Sequence, residues 1–218
     1  MKVGIILTND ERSRAYLQKL QQQKILLDSY VLMNNAIEIE FSKEVISTSK
    51  KFGFDISEST KNTLLKNNIL FNEFNFLDIN HPKLINFLKE ENCDYFIFTG
   101  GGILKKDILN LPIKFIHMHP GIVPHYRGST CFYYSIINEQ SAGVTAFIMD
   151  KNLDTGNVIY QKKFEKPNHQ FIDEVYDPFI RSETLMDILQ RQILKESNFS
   201  QQDPKNGETY FIIHPVLK

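Results

Sequence analysis

Two imidazoles stand two positions apart at the end of an apolar run, Phe115-Ile116-His117-Met118-His119, and a stiff loop follows at once, Pro120-Gly121-Ile122-Val123-Pro124-His125-Tyr126-Arg127-Gly128. Further along, Leu153-Asp154-Thr155-Gly156 sets an acid in a tight turn. On a strand, a spacing of two puts both imidazoles on one face. Imidazoles with a carboxylate brought beside them are the parts of an acid/base site. Each part also has a plainer reading. A single strand histidine is commonly a hydrogen-bonded structural residue, and Asp-Thr-Gly is an ordinary turn between two strands. Two histidines on one face, directly ahead of Pro-Gly, favour chemistry. A metal centre is the main rival, since His-x-His is a ligand pair that Asp154 or His125 could complete. No Cys-x-x-Cys or His-Glu-x-x-His accompanies it, so no metal is expected.

Other segments could furnish binding groups. Gly100-Gly101-Gly102 follows a predicted strand but lacks the Lys-Ser/Thr of a phosphate loop and the spacing of a dinucleotide fingerprint. Close backbone approach to a flat ligand, with Ile103 and Leu104 as an apolar wall, is the alternative. Arg127 could take a carboxylate or phosphate in bidentate fashion, or form a surface ion pair. Cys93 and Cys131 sit among apolar residues and read as core thiols rather than a disulfide framework or a nucleophile.

These groups must be positioned by elements that the hydrophobic pattern marks out. Strands are expected over 2–7, 26–33, 69–74, 94–99, 113–118, 144–149 and 158–164, with a further strand-like run at 209–213. Helices are expected over 11–23, capped by Asn9 or Asp10, over 82–90 behind Asn80-His81-Pro82, over 128–138, and as one long element over 173–196. Residues 34–68 are polar and rich in Lys, Asn and Ser, with helical pieces. Alternation of this kind implies βαβ units: an α/β fold with a Rossmann-like, doubly wound, mostly parallel sheet, a long C-terminal helix and a short tail. Ligands bind such sheets at the C-terminal strand ends, where the glycine triplet and the histidines both fall.

The 218 residues suffice for one sizeable domain, expected over 1–165, with 166–218 packed on it as helix and tail. Hydrophobic content of 42%, charged content of 23% and a net charge of −1 describe an ordinary globular chain with no general attraction to nucleic acid. The N-terminal apolar run reads as a buried strand rather than a signal peptide, and no stretch approaches the ~20 residues that span a bilayer. A cytoplasmic protein without membrane or nucleic-acid partners is expected.

Taken together and in order, the motifs resemble those of the folate-dependent formyltransferases. That family carries Asn-x-His-Pro-(Ser/Gly)-x-x-Pro-x-x-Arg-Gly and, some tens of residues on, an Asp-Thr-Gly turn. The resemblance is clear over 94–164, about a third of the chain, and looser over the first strand and helix. It implies 10-formyltetrahydrofolate as donor co-substrate, His119 and Asp154 as catalytic residues, and a pterin pocket walled by Gly100, Gly101, Gly102, Ile103 and Leu104, with Asp150, Thr155 and Gly156 alongside. Tyr126, Arg127 and Gly128 are expected to meet the acceptor. His117, the third expected catalytic residue, stands where the family has asparagine, and with His119 it is expected to supply the donors to the forming oxyanion. Asparagine would donate a hydrogen bond to the forming oxyanion, whereas histidine donates only in the right tautomer or when protonated.

The acceptor is read by comparison within the family. Methionyl-tRNA formyltransferases add a C-terminal barrel, and here about twenty residues follow the long helix. Glycinamide ribonucleotide transformylases open on a glycine-rich phosphate loop, whereas this chain has Leu7-Thr8-Asn9-Asp10-Glu11-Arg12. Formyl-folate hydrolases carry an N-terminal regulatory domain. The pattern is most similar to the sugar N-formyltransferases, which act on nucleotide-linked amino sugars for surface glycans such as lipopolysaccharide. Gly207-Glu208-Thr209-Tyr210 and the residues after it resemble that group, and a homodimer is compatible with it. The remaining alternatives are a formyltransferase for another small amine or ribonucleotide, a homologue that only binds folate or sugar nucleotide, and a metal-dependent hydrolase.

Overall fold

A computed structural model describes residues 1–34, 39–100, 102–168, 170–196, 198–203 and 205–217. In chain order the elements are β1 (Val3–Leu7), α1 (Glu11–Gln22), β2 (Ser29–Met33), α2 (Lys43–Lys51), α3 (Thr60–Lys66), β3 (Asn72–Phe74), α4 (Pro82–Glu90), β4 (Tyr95–Phe98), α5 (Lys106–Leu109), β5 (Lys114–His119), β6 (Tyr126–Gly128), α6 (Cys131–Glu139), β7 (Ser141–Ile148), β8 (Val158–Glu165), α7 (Asp177–Gln190) and β9 (Glu208–Tyr210).

Seven strands form one sheet in the order β3-β2-β1-β4-β5-β7-β8. The first five are parallel, and β7 and β8 extend the sheet antiparallel. β1, β2 and β4 are buried at every position, which is why they read as unbroken apolar runs. Alternate residues feed two cores, one on each face of the sheet. Ile5, Leu7, Ile97, Ile116 and Met118 pack with α1 and α7 residues such as Leu17, Leu20, Ile180 and Leu185. Ile6, Phe96, Phe98 and Phe115 pack with Leu84 and Leu88 of α4 and Ile108 of α5. Strand order reverses between β1 and β4, and the crevice beyond their C-terminal ends is where a doubly wound sheet receives ligands.

Several expected elements differ, and the strands expected over 26–33 and 69–74 begin later, at Ser29 and Asn72. The helix expected over 173–196 is a π turn at Ile172–Tyr176, then α7, then a 3₁₀ turn at Ile193–Lys195. Pro178 stands where the π turn gives way to α7, so it lies within a continuous helical run and marks a change of winding rather than a helix start. The helix expected from Gly128 begins instead at Cys131. Gly128 ends β6 at φ +99, and a Cβ there would overlap the Tyr210 carbonyl oxygen. The tail strand is shorter than its apolar pattern, because β9 pairs only with the three residues of β6. Among residues 34–68, α2 and α3 account for most of the helical pieces, and 35–38 lie outside the described residues. No helix among the described residues is long and apolar enough to cross a membrane.

Candidate active site

β5 carries His117 and His119 to the rim of a cavity of about 520 Å³ at the C-terminal end of the sheet. His119 is 2% exposed. Its Nε2 donates to the Tyr126 carbonyl at 2.8 Å, and its Nδ1 faces the Asp154 carboxylate at 3.4 Å. A carbonyl only accepts, so the proton on Nε2 is fixed. The Nδ1 contact is longer than the 2.7–2.9 Å usual for a charge-assisted bond. Burial lowers the His119 pKa, while the Asp154 charge and the Tyr126 carbonyl oppose that. The resting ring is therefore neutral beside a carboxylate that stabilises its protonated form.

Asp154 sits in the left-handed region at φ +53, in the loop from β7 to β8, and its Oδ2 accepts the Gly128 N–H at 2.7 Å. Gly121 permits the His119 contact. A Cβ there would lie 2.9 Å from Nε2 and 2.7 Å from the Tyr126 carbonyl oxygen. Thr145 donates to the Gly121 carbonyl at 2.7 Å and accepts the Val123 N–H at 3.1 Å, and Gln161 donates to the Val123 carbonyl at 2.6 Å. These bonds fix the loop that leaves β5.

His117 shares the cavity and, like His119, lies beside the Phe147 ring. Burial first, then the charges of Arg181, His119 and Arg12, hold its pKa well below the ordinary imidazole value. Its Nδ1 is 3.5 Å from the Phe98 carbonyl. The tautomer that satisfies this acceptor carries its proton on Nδ1 and leaves Nε2 as an acceptor. In that tautomer the single N–H of the neutral ring is turned to Phe98. Arg181 donates from Nε to Asp177 at 2.7 Å and from a terminal nitrogen to the Met118 carbonyl, the peptide between the two histidines.

The walls come from several loops. Gly100, Gly102, Ile103 and Leu104 line the cavity after β4, and Gly101 lies outside the described residues. Asn80 pins this loop through its amide, donating to the Ile103 carbonyl at 2.9 Å and accepting the Lys105 N–H at 2.7 Å. Met149, Asp150, Leu153 and Asp154 line it from the β7–β8 loop. Thr155 and Gly156 do not reach it. Thr155 donates to Asp150 at 3.0 Å, and Gly156 leaves no room for a Cβ against the Ile148 carbonyl. Of the expected acceptor residues, Gly128 lines the cavity, followed by Ser129 and Thr130. Tyr126 instead stacks on Tyr210, and Arg127 donates to the Gly207 carbonyl at 3.4 Å. Both side chains pack under the C-terminal segment because β6 pairs with β9.

Arg12 lines the cavity just inside α1 and pairs with Asp10 at 3.1 Å. Asp10 also caps α1, accepting the Ser13 N–H at 2.8 Å, so that helix terminus is occupied by its own carboxylate rather than open to a phosphate. Among the described residues, no three His, Cys, Asp or Glu side chains group as a metal site. Burial raises the pKa of Cys93 to about 11 and that of Cys131 to about 12, which suits packing thiols better than nucleophiles. Sequence reasoning missed the supporting roles of Arg181, Thr145 and Gln161 and the hold of Asn80 on the loop after β4. Only Arg181 had a signal, an acid four residues earlier on one helix face.

Residues 32–187 match the formyl transferase family. Methionyl-tRNA formyltransferase of Clostridioides difficile is 28% identical over 200 residues, covering 89% of this chain and 61% of that protein. The chain spans from 32% to 61% of the length of the first curated relatives that it matches. A sugar N-formyltransferase from Shewanella is 19% identical with a TM-score of 0.61, over 97% of this chain and 77% of that one. The N-formyltransferase from Helicobacter canadensis, in complex with folinic acid and dTDP-3-aminofucose, is 17% identical with a TM-score of 0.62, over 97% and 71%. At such identities the likeness speaks for the fold. The family match runs from β2 through most of α7, well over half of the 218 residues, and contains both His119 and Asp154: this chain belongs to the formyl transferase family.

Proposed function

We propose that the chain transfers a formyl group from 10-formyltetrahydrofolate to the amine of a nucleotide-linked amino sugar. The observation that carries the reading is the His119–Asp154 pair at the cavity, with Asp154 held by the Gly128 N–H. The folate supplies an activated formyl carbonyl. A fit for it is supported by the exposed apolar side chains of Ile103 and Leu153 at the cavity, which a flat ring system would cover. Gly100, Gly102, Ile103, Leu104 and Asp150 would hold it.

The residues divide the proton work. As the amine attacks, negative charge grows on the carbonyl oxygen. The His119 N–H now given to Tyr126 is the donor for which that oxygen competes, since such bonds are often satisfied elsewhere before substrate binds. Asp154 stabilises the imidazolium if His119 gains a second proton. His117 Nε2, left as an acceptor by the Phe98 contact, can take the proton that the amine must lose. As the tetrahedral centre collapses, the bond from the formyl carbon to folate N10 breaks, and N10 takes up a proton as tetrahydrofolate leaves.

The sugar acceptor is supported by the Helicobacter canadensis complex with dTDP-3-aminofucose, and by the capped α1 terminus, which disfavours a ribonucleotide phosphate there. The curated relatives named for methionyl-tRNA favour a second acceptor reading. Tetrahydrofolate release, measured with a panel of nucleotide-linked amino sugars and with methionyl-tRNA, tests both. Release dependent on one amino sugar is expected. Release with methionyl-tRNA alone would replace the sugar, and no release with any acceptor despite folate binding would reject the transferase.

A further inference from the structure

The turn that carries Asp154 is gripped from a distant part of the chain. Gln202 Nε2 donates to the Asp154 carbonyl at 3.1 Å and to the Gly156 carbonyl at 2.7 Å, so one amide nitrogen holds both ends of the Asp-Thr-Gly turn. Among the described residues its Oε1 is buried without a hydrogen-bond partner. A buried, unpaired acceptor is destabilising, and it is retained here at the turn that sets the Asp154 carboxylate.

The surrounding segment is anchored on both sides of Gln202. Ser200 exchanges two backbone bonds with Val158, at 2.8 and 3.1 Å. β9 pairs with β6, whose Tyr126 carbonyl and Gly128 N–H contact His119 and Asp154 respectively. The same stretch of chain therefore braces the partner of His119 and the partner of Asp154.

We infer that Gln202 is a positioning residue for the site, fixing the Asp154 turn so that the carboxylate faces His119 and accepts the Gly128 N–H. The kinetic part of this inference rests on the proposed formyl transfer, while the positional part does not.

Gln202→Ala tests it with two readouts. The first is hydrogen exchange at the Gly128 amide, whose acceptor is Asp154, compared with the Ser129 amide, which bonds to the Tyr210 carbonyl. The Gly128 amide is expected to exchange about tenfold faster or more while Ser129 is unchanged. The second is turnover, expected to fall about tenfold or more with KM for the folate within roughly twofold, since the misplaced group lies in the reacting machinery. Gln202→Lys keeps a donor and removes the unpaired acceptor, so it is expected to retain Gly128 protection. Gln202→Glu turns a carboxylate toward two carbonyls and is expected to lose it. Unchanged Gly128 exchange in Gln202→Ala would overturn the inference. So would equal loosening of Gly128, Ser129 and Val158, which marks a general structural role. If the wild type transfers no formyl group to any acceptor, the function reading fails and the exchange data alone decide the role of Gln202.

Discussion

Replacing Asp154 with Asn removes one charge and little else. Asn keeps an oxygen that can accept the Gly128 N–H, now 2.7 Å from Oδ2, so the turn has no reason to open. What is lost is the attraction between the carboxylate and an imidazolium at His119. At the 3.4 Å separation of Nδ1 and Oδ2, two unit charges interact by about 5 kcal/mol at an effective dielectric of about 20. A transition state with a full proton on the ring would lose all of this, about 4,000-fold in rate, and one with half the charge about 60-fold. Turnover should therefore fall by about two to three and a half orders of magnitude. The assay is tetrahydrofolate release at saturating folate and acceptor, beside thermal unfolding of the same preparations. A loss below about tenfold with an unchanged melting temperature would refute a charge-stabilised imidazolium at His119.

The buried histidines make stability depend on pH with a definite sign. The folded pKa of His117 lies well below the unfolded value near 6.5, so its neutral form contributes stability that is present above pH 6.5 and is lost as pH falls toward the folded pKa. Each such ring costs about 1.4 kcal/mol per pH unit, so His117→Asn should flatten the acid-side decline of the melting temperature by about 3–5 °C per unit. A wild-type melting curve that does not move between pH 7 and 5 would contradict this. Gly128→Ala combines a side chain in the left-handed region with overlap at the Tyr210 carbonyl and should cost about 2–6 kcal/mol in urea titration, with β9 released first. Arg181→Met leaves Asp177 buried without its cation and the Met118 carbonyl without its donor, so unfolding should become easier by about 3–5 kcal/mol, whereas a surface-like loss below ~1 kcal/mol would remove Arg181 from the support of β5.

The local patterns of the chain determined much of this protein. Unbroken apolar runs marked β1 and β4, because a strand covered on both faces needs a side chain to bury at every position. The spacing of His117 and His119 placed both at one cavity, and the order from Pro120-Gly121 to Asp154-Thr155-Gly156 pointed to a family that the match over 32–187 bears out. Tertiary structure decided the rest, since the partners are far apart in the chain and carry no mutual signal. His119 meets the backbone carbonyl of Tyr126 rather than its ring, and any residue at that position would present the same carbonyl. Arg127 left the cavity because β6 pairs with β9, a three-residue contact too short to register as a periodic pattern. Gln202 is one polar residue in a polar tail, and only the path of that tail past the β7–β8 loop brings it to Asp154. The neutrality of His117 belongs to no residue alone: burial and the nearby cations Arg181 and Arg12 set it, and those come together only when α7 and α1 close over the sheet.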